Sequence, residues 1–571
     1  MVFKKLPDNL KPFYSEFFRN KKQYHDRIIS GFDSETTNDG KIILLANESE
    51  STSAYPTIDE LLAFLVKKDH DSQQHLNFFF NLDFDVAAIF KSMVNQIKFE
   101  TGSWKLKYGS YEIYYLEGKL LRIIHGHKIS EFFDLANFLS GSLNTLSKKY
   151  LNDVKADQEI VDKSHMENIP FEVIRKYCIK DALLTAKLGK ILFDMVENFS
   201  LILLGYKASP VNWFSKATLS EFYLKLLIPE KVLKPKYNKL VLEYAYKSYH
   251  GGMFENFVKG PVKCSTIDLN SAYPSQIREL IALDGEWLHV TEFKKDATYG
   301  FYKVRVIYNG FIPYELKGKV YYPKTTEKHL YYATQNELIA FKNYEVIDGW
   351  VFYPYKTEYP FKNLIDKLYN IKIQAKQNND PNLYWLAKII LNGIYGKFVQ
   401  TSGNRAGSLF NPVFGAVITA NTRIKIFQSV KLFNKVYSID TDSITGVLKN
   451  KFKNSDALGE WSLKEQNVNK TIIQNGLSLN NKNEFINTRG FSKYKVNKFQ
   501  KNNLTINIEI YRPKHIRECV KQHIVNSINT FITETKVIDL NASKRIFFGK
   551  FNWGKITFSM PFGDELIVDE E

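Results

Sequence analysis

Three short motifs occur in one order: Asp268-Leu269-Asn270-Ser271-Ala272-Tyr273-Pro274, then residues 388–396 (KIILNGIYG), then Asp440-Thr441-Asp442-Ser443. Asp268 follows the apolar strand end Thr266-Ile267, so its carboxylate projects from a rigid element. Asp440 and Asp442 sit between residues 436–439 and 444–448, two apolar runs that read as a β-hairpin. If strand geometry continues through them, alternation puts both on one side. Transfer of a nucleotidyl group needs the attacking and leaving oxygens held in line by two divalent ions about 3.5–4 Å apart. Mg²⁺ takes oxygen ligands, which carboxylates supply. A lone Asp-x-Asp is more often a surface turn. Here the turn is embedded in apolar strand and preceded by a second acidic strand end, which argues for a site.

Residues 388–396 place Lys388, Asn392, Tyr395 and Gly396 at i, i+4, i+7 and i+8, one face of a helix. Lysine holds phosphate oxygens as a point charge. Tyr395 offers a ring to a base, and Gly396 lets a template approach. Lys376 ends the preceding helix, within reach of the same phosphates. Alone, this stripe is better read as an amphipathic helix with a solvated lysine.

A second acidic set lies upstream. Asp33-Ser34-Glu35-Thr36-Thr37 and Asn81-Leu82-Asp83-Phe84-Asp85 each follow an apolar strand, residues 27–32 and 76–80, and Tyr177 and Asp181 share a helix face. Four carboxylates and a tyrosine can hold two metal ions and orient a water for hydrolysis at a 3′ end. Each acid taken singly is commonly an N-cap or a surface charge. The chain therefore reads as two metal-dependent centres in series, one that degrades nucleic acid and one that builds it.

A formal net charge of +17 and 15% aromatic residues suit a polyanionic partner whose unpaired bases stack on rings. At 571 residues the chain needs several domains. Its three cysteines, Cys178, Cys264 and Cys519, form no Cys-x-x-Cys pair, so neither zinc nor a disulfide framework is expected, and a reducing interior is. The amino-terminal stretch lacks an apolar signal core and no run is long enough to span a bilayer. Residues 549–555 (GKFNWGK) mimic a P-loop, but Ile556 stands where Ser or Thr is needed and a strand-like run follows. His125-Gly126-His127 lacks cysteine partners and reads as surface.

Between the two sets, Pro170 opens a helix at its first position, and residues 208–210 resemble a linker. Tyr249-His250-Gly251-Gly252 allows close backbone approach. Residues 281–355 are strand-rich and turn-rich. Residues 361–376 and 383–398 read as two helices joined by Asn378-Asn379-Asp380-Pro381, which must pack as an antiparallel hairpin.

The three ordered motifs resemble motifs A, B and C of family B DNA polymerases. With Tyr249-His250-Gly251-Gly252 and the upstream acids, the chain resembles the protein-primed polymerases of small linear-genome bacteriophages, a type B group termed organellar and viral. The resemblance implies an α+β multidomain fold: an RNase H-like 3′–5′ exonuclease domain, residues 1–200, then a palm, fingers and thumb domain, residues 201–571. Within the latter, the palm would be about 201–280 and 410–525, a terminal-protein-contacting insertion 281–355, fingers 356–400 and thumb 526–571.

By the same resemblance, Asp268 and Asp442 are the main metal ligands and Asp440 assists, with Leu269 also assigned to metal and nucleotide. Tyr273 gates against a ribose 2′-OH. Lys376, Lys388, Asn392 and Tyr395 contact the incoming nucleotide. Asp33, Glu35, Asp85, Tyr177 and Asp181 are the exonuclease set, and Thr36, Asn81 and Phe84 bind the unpaired 3′ end. Tyr249, Gly251 and Gly252 pass DNA between the centres, and Gly396 and Lys470 contact DNA. Lys155 falls where an auxiliary lysine is found.

The sequence departs from the family in three places. Ser438 stands where Tyr precedes motif C, with Tyr437 one residue earlier. The later Lys-x-Tyr motif is split between Lys470-Thr471-Ile472 and Ser492-Lys493-Tyr494. Residues 398–412 are too few for the insertion that encircles the template in relatives.

The expected function is replicative DNA synthesis with proofreading, using two Mg²⁺ ions per centre, with Mn²⁺ able to substitute, and starting from a terminal-protein primer. Expected partners are primer-template and single-stranded DNA, dNTPs, the terminal protein and a single-strand-binding protein. The expected state is a monomer off the membrane, in the cytoplasm of a host cell, with an organelle or linear-plasmid origin left open. Two alternatives stand: a nucleic-acid-primed family B polymerase, and a non-catalytic basic scaffold for single strands. Clustered acids disfavour the scaffold, because without metals they repel phosphate.

Overall fold

The computed structural model describes residues 27–568 apart from 67–73, 101–102, 155–165, 167, 237, 403–404, 451, 489–504, 515 and 523–530. Lys155 and Ser492-Lys493-Tyr494 lie outside the described residues. No helix among those described is long and apolar enough to cross a membrane.

Eight strands form the first sheet, in the order Ile42–Asn47, Ile28–Thr36, His75–Phe79, Lys128–Asp134, Leu120–His125, Tyr111–Leu116, Ser103–Tyr108 and Lys98–Glu100. Ile28–Thr36, His75–Phe79 and Lys128–Asp134 run parallel to one another. Parallel strands are covered on both faces, which explains the unbroken apolar run Phe78-Phe79 and its complete burial. The acidic motif does not follow its strand as expected. Asp33, Ser34 and Glu35 are inside Ile28–Thr36, so alternation sends Asp33 and Glu35 to the same face.

Helix Phe171–Leu204 crosses this sheet. Pro170 is its N-cap, one residue earlier than expected, and Gly205 ends it in the left-handed region at φ 84°. Gly31 allows the crossing. A Cβ there would lie 2.1 Å from the Ala182 carbonyl oxygen and 2.4 Å from the Ala186 nitrogen, so only hydrogen fits under the helix.

The second sheet has nine strands. Val258–Leu269 is central, between Ser443–Leu448 and Trp461–Gln474, both antiparallel to it. Phe433–Asp440 pairs with Ser443–Leu448 as the expected hairpin, and Thr557–Met560 returns to pair with Val258 and Lys259. The helical hairpin is Lys362–Gln377 and Pro381–Phe398. The second helix starts earlier than its apolar pattern implied, because Asp380 caps it by accepting from the Asn382 and Leu383 amides with Pro381 at its start.

Residues 281–355 hold a four-stranded sheet, in the order Gly285–Val290, Tyr344–Pro354, Tyr299–Val306, His329–Thr334. The carboxylate of Asp564, near the end of the chain, accepts from the Thr326 and Glu327 amides and pairs with His329 at 2.9 Å, which ties the last segment to this region. Among the described residues between Phe398 and Pro412, the regular structure is the pairing of Thr401–Ser402 with Arg405–Ala406. The strand Phe531–Asp539 pairs with Thr505–Pro513.

One apolar core joins the first sheet to the helical hairpin. Leu76, Leu188, Trp213, Leu224, Ile390 and Phe414 are buried within it. Trp213 is fully buried, and truncating such a ring costs about 3–5 kcal/mol.

Candidate active sites

The upstream centre is made where helix Phe171–Leu204 passes over Ile28–Thr36. Ligand atoms of Asp33, Glu35 and Asp181 all lie within 4.8 Å of one another. They open onto a cavity of about 630 Å³ that Tyr177, Asp85, Asn81, Phe84 and Thr36 also line. Every residue expected at this centre is thus in one place, except Lys155, which lies outside the described residues. Asp85 has a distinct setting: one of its oxygens accepts from the Ser34 amide at 3.0 Å and the Ser34 hydroxyl at 2.7 Å. Burial pushes its carboxyl well above the usual range, and Asp134 and Glu35 add to the rise. Asn81 adopts φ 74°, and its amide donates to Asp134 at 2.9 Å. Asp134, which stands in none of the sequence motifs, is itself raised to about 6 by burial. The Cys178 thiol donates to the Asp33 carbonyl oxygen at 3.3 Å, and burial raises its pKa well above the ordinary value.

The downstream centre is assembled by backbone hydrogen bonds. Asp268 pairs in register with Ser443 on one side and Ser462 on the other. Strand alternation does not continue through Asp442. The chain turns at Thr441, which takes φ 61°, and the Asp442 amide reaches back to the Asp440 carbonyl oxygen at 2.7 Å. The turn is fixed from outside: the Thr441 amide donates to Met253 at 2.7 Å, and the Leu269 amide donates to Asp442 at 2.8 Å. Burial raises Asp442 to about 6, and the negative charges of Asp268 and Asp440 add to it. Burial also raises Asp268, opposed by Lys464, Lys372 and Lys388. Ser438 donates to Asp440 at 3.4 Å, while Tyr437 packs into a separate apolar cluster with Val258 and Val262.

Around these acids the expected face appears. Lys388, Asn392 and Gly396 are exposed on helix Pro381–Phe398, and Tyr395 is half-buried. Tyr273 lies 4.3 Å from Tyr395 between ring centroids, and the Tyr395 and Tyr249 hydroxyls are 2.7 Å apart. Gly252 is needed for closeness. A Cβ there would come within 2.5 Å of the Thr441 side chain and 3.0 Å of the Tyr273 hydroxyl. A Cβ at Gly251 or Gly396 would meet open space.

Lys470 departs from its expected DNA contact. Its ammonium is buried in the sheet, donating to Glu465 at 2.8 Å and Thr266 at 3.2 Å.

Three residues missed in the sequence matter here. Lys372 donates to Ser271 at 2.9 Å; its spacing of four from Lys376 was a readable signal. Lys464 places its ammonium 3.8 Å from Asp268, with nothing in its local sequence to mark it. Arg423 is buried, donates to the carbonyls of His250 at 2.7 Å and Gly251 at 3.0 Å, and pairs with Glu337 at 2.6 Å. It holds the glycine loop against the region of residues 281–355.

Both acidic sets offer only hard oxygen donors, the chemistry that Mg²⁺ and Mn²⁺ prefer over softer metals. The upstream trio is close enough for its members to share an ion.

The comparisons with known proteins agree with this geometry. A protein of Ascobolus immersus named "Probable DNA polymerase" is 28% identical over 278 residues, 45% of this chain. The chain spans only 21% of that relative's length. Phi29 DNA polymerase complexed with primer-template DNA shares the fold at a TM-score of 0.64 and 18% identity, over 90% of this chain and 100% of that one. Its complex with primer-template DNA and incoming nucleotides gives 0.63 at 17% identity, over 90% and 99%. The fold is thus an RNase H-like domain followed by a family B palm, fingers and thumb. The family described as DNA polymerase type B, organellar and viral, matches residues 155–487, more than half of the sequence and all three downstream motifs. The chain belongs to that family.

Proposed function

We propose that the chain is a DNA-directed DNA polymerase with a 3′–5′ proofreading exonuclease, and that it starts viral or linear-plasmid replication from a terminal-protein primer. The observation that carries this reading is the presence of two separate acidic centres in one chain, with Lys464, Lys372 and Lys388 acting on Asp268 at the downstream one and the Tyr273 and Tyr395 rings packed 4.3 Å apart beside it. Residues 1–200 form the exonuclease domain and residues 201–571 the polymerase domain in this reading.

At the downstream centre, Asp268, Asp442 and Asp440, with Leu269, would hold two Mg²⁺ ions, whose charge would help activate the primer 3′-hydroxyl and offset that on the leaving pyrophosphate. Lys376 and Lys388 bind the triphosphate, and Asn392 and Tyr395 border the base. Tyr273 fills the space a 2′-OH would take. Upstream, Asp33, Glu35, Asp85 and Asp181 would hold the metals for hydrolysis and Tyr177 would orient the water. Thr36, Asn81 and Phe84 line the cavity as a seat for a frayed 3′ end. Tyr249, Gly251 and Gly252, braced by Arg423, guide the strand between centres. Residues 281–355 face the terminal protein. The protein works as a monomer in the host cytoplasm on primer-template and single-stranded DNA, with a single-strand-binding protein as a further partner.

The test is incubation with labelled dATP, Mg²⁺ and a candidate terminal protein encoded beside this chain. Label joined covalently to that protein supports protein priming. Extension of a DNA primer without such labelling favours a nucleic-acid-primed polymerase.

A further inference from the structure

The downstream acids already have a cation of the protein's own beside them. Lys464, on Trp461–Gln474, places its ammonium 3.8 Å from an Asp268 oxygen, and its side chain is half exposed. No residue of the acidic turn or the lysine helices supplies this charge. It comes from the opposite edge of the central strand, where the pairing of Val258–Leu269 with Trp461–Gln474 is irregular around Thr266. Lys372 approaches from the helical hairpin and is held by Ser271. Burial, then repulsion from Lys388 and Lys464, lowers Lys372 to about 8. Several lysines therefore crowd one carboxylate, an arrangement that a polyanion would relieve.

An ammonium and a divalent ion cannot both sit against Asp268 without strong repulsion. Triphosphate oxygens would give the ammonium a better partner than one half-exposed carboxylate. The Lys464 stem is long and exposed, so it can move. We propose that Lys464 is a positioning residue that competes with the divalent ion for Asp268 until a nucleotide arrives, then turns to its phosphates. Metal and nucleotide binding at this centre are thereby coupled through one side chain. Linkage requires the coupling to be reciprocal: each ligand tightens the other by the same factor. The proposal rests on the polymerase reading above.

The experiment measures Mn²⁺ binding by electron paramagnetic resonance on the full chain. An Asp33→Ala background silences the upstream centre, and a dideoxy-terminated primer-template is present with and without the matching dNTP. Lys464→Met is expected to tighten Mn²⁺ binding without nucleotide by about 3- to 5-fold, the scale of a half-exposed ion pair. It is also expected to shrink the tightening that dNTP produces by a similar factor. Lys464→Arg should keep the parent's coupling. Unchanged or weaker nucleotide-free Mn²⁺ binding in Lys464→Met would overturn the proposal while template-directed extension by the parent leaves the functional reading standing. Failure of the parent to extend any primer, on DNA or protein, would overturn both.

Discussion

Upstream, one strand and one helix bring Asp33, Glu35 and Asp181 within 4.8 Å of one another. Downstream, Asp268, Asp440 and Asp442 are distributed over a strand end and a turn, and Lys464 stands beside the first. The upstream centre depends on how closely a helix can approach a strand, which Gly31 sets. The downstream centre depends on a turn held by the Leu269 and Thr441 amides. Close approach of helix backbone to strand backbone therefore fixes one centre and backbone hydrogen bonding the other.

The largest effect expected is separation of the two activities. Asp268→Ala or Asp442→Ala should lower template-directed incorporation by about 10³-fold or more, since metal-held charge supplies several kcal/mol of the barrier. Degradation of single-stranded DNA should persist. Asp33→Ala or Asp181→Ala should do the reverse. Primer-extension and digestion assays on the same preparations check this, and loss of both activities from one change in a folded protein would break the comparison.

Next in size is Gly31→Ala. Its methyl group must push helix Phe171–Leu204 away and carry Asp181 with it. Misplacement by about 1 Å is worth roughly 100-fold in rate, so digestion should fall by that order while extension continues. Equal loss of both rates would mean that the two centres share more than a core.

Tyr273 belongs to the downstream centre alone. Tyr273→Val should raise the ribonucleotide-to-deoxyribonucleotide incorporation ratio by roughly 10-fold or more, with digestion unchanged. An unchanged ratio would remove the ring from the sugar site.

The smallest effect is on stability. Asp442 is raised to about 6, so in metal-free protein its favourable contribution is complete below the unfolded pKa and lost as pH climbs through about 6. Asp442→Asn should therefore stabilise the metal-free chain at pH 8 by about 2–3 kcal/mol, and hardly at pH 4. Melting temperatures in chelator at the two pH values measure it. Saturating Mn²⁺ should abolish the gain, because the ion neutralises the same charge.

Much was legible in the sequence because it is local. The helical face of Lys388, Asn392, Tyr395 and Gly396 follows from a period of 3.6 residues, and the structure leaves Lys388, Asn392 and Gly396 on it exposed. The helical hairpin and the pairing of Phe433–Asp440 with Ser443–Leu448 are likewise set by neighbours in the chain. Residue type alone marked the acids, since few other side chains offer hard oxygen ligands.

Other features follow only from segments far apart in sequence. Gly31 looked like any strand glycine until a helix more than a hundred residues later lay on it. Lys470 fitted a motif neighbourhood, yet Glu465 and Thr266 draw it into the sheet. Lys464 and Arg423 carried no local signature at all, and their partners are Asp268 and Glu337. Sequence thus determined which chemical groups and which local elements this protein has, through periodicity and donor type. Tertiary structure decided which of those groups meet, because an ion pair or a close backbone contact depends on distances that chain spacing does not set.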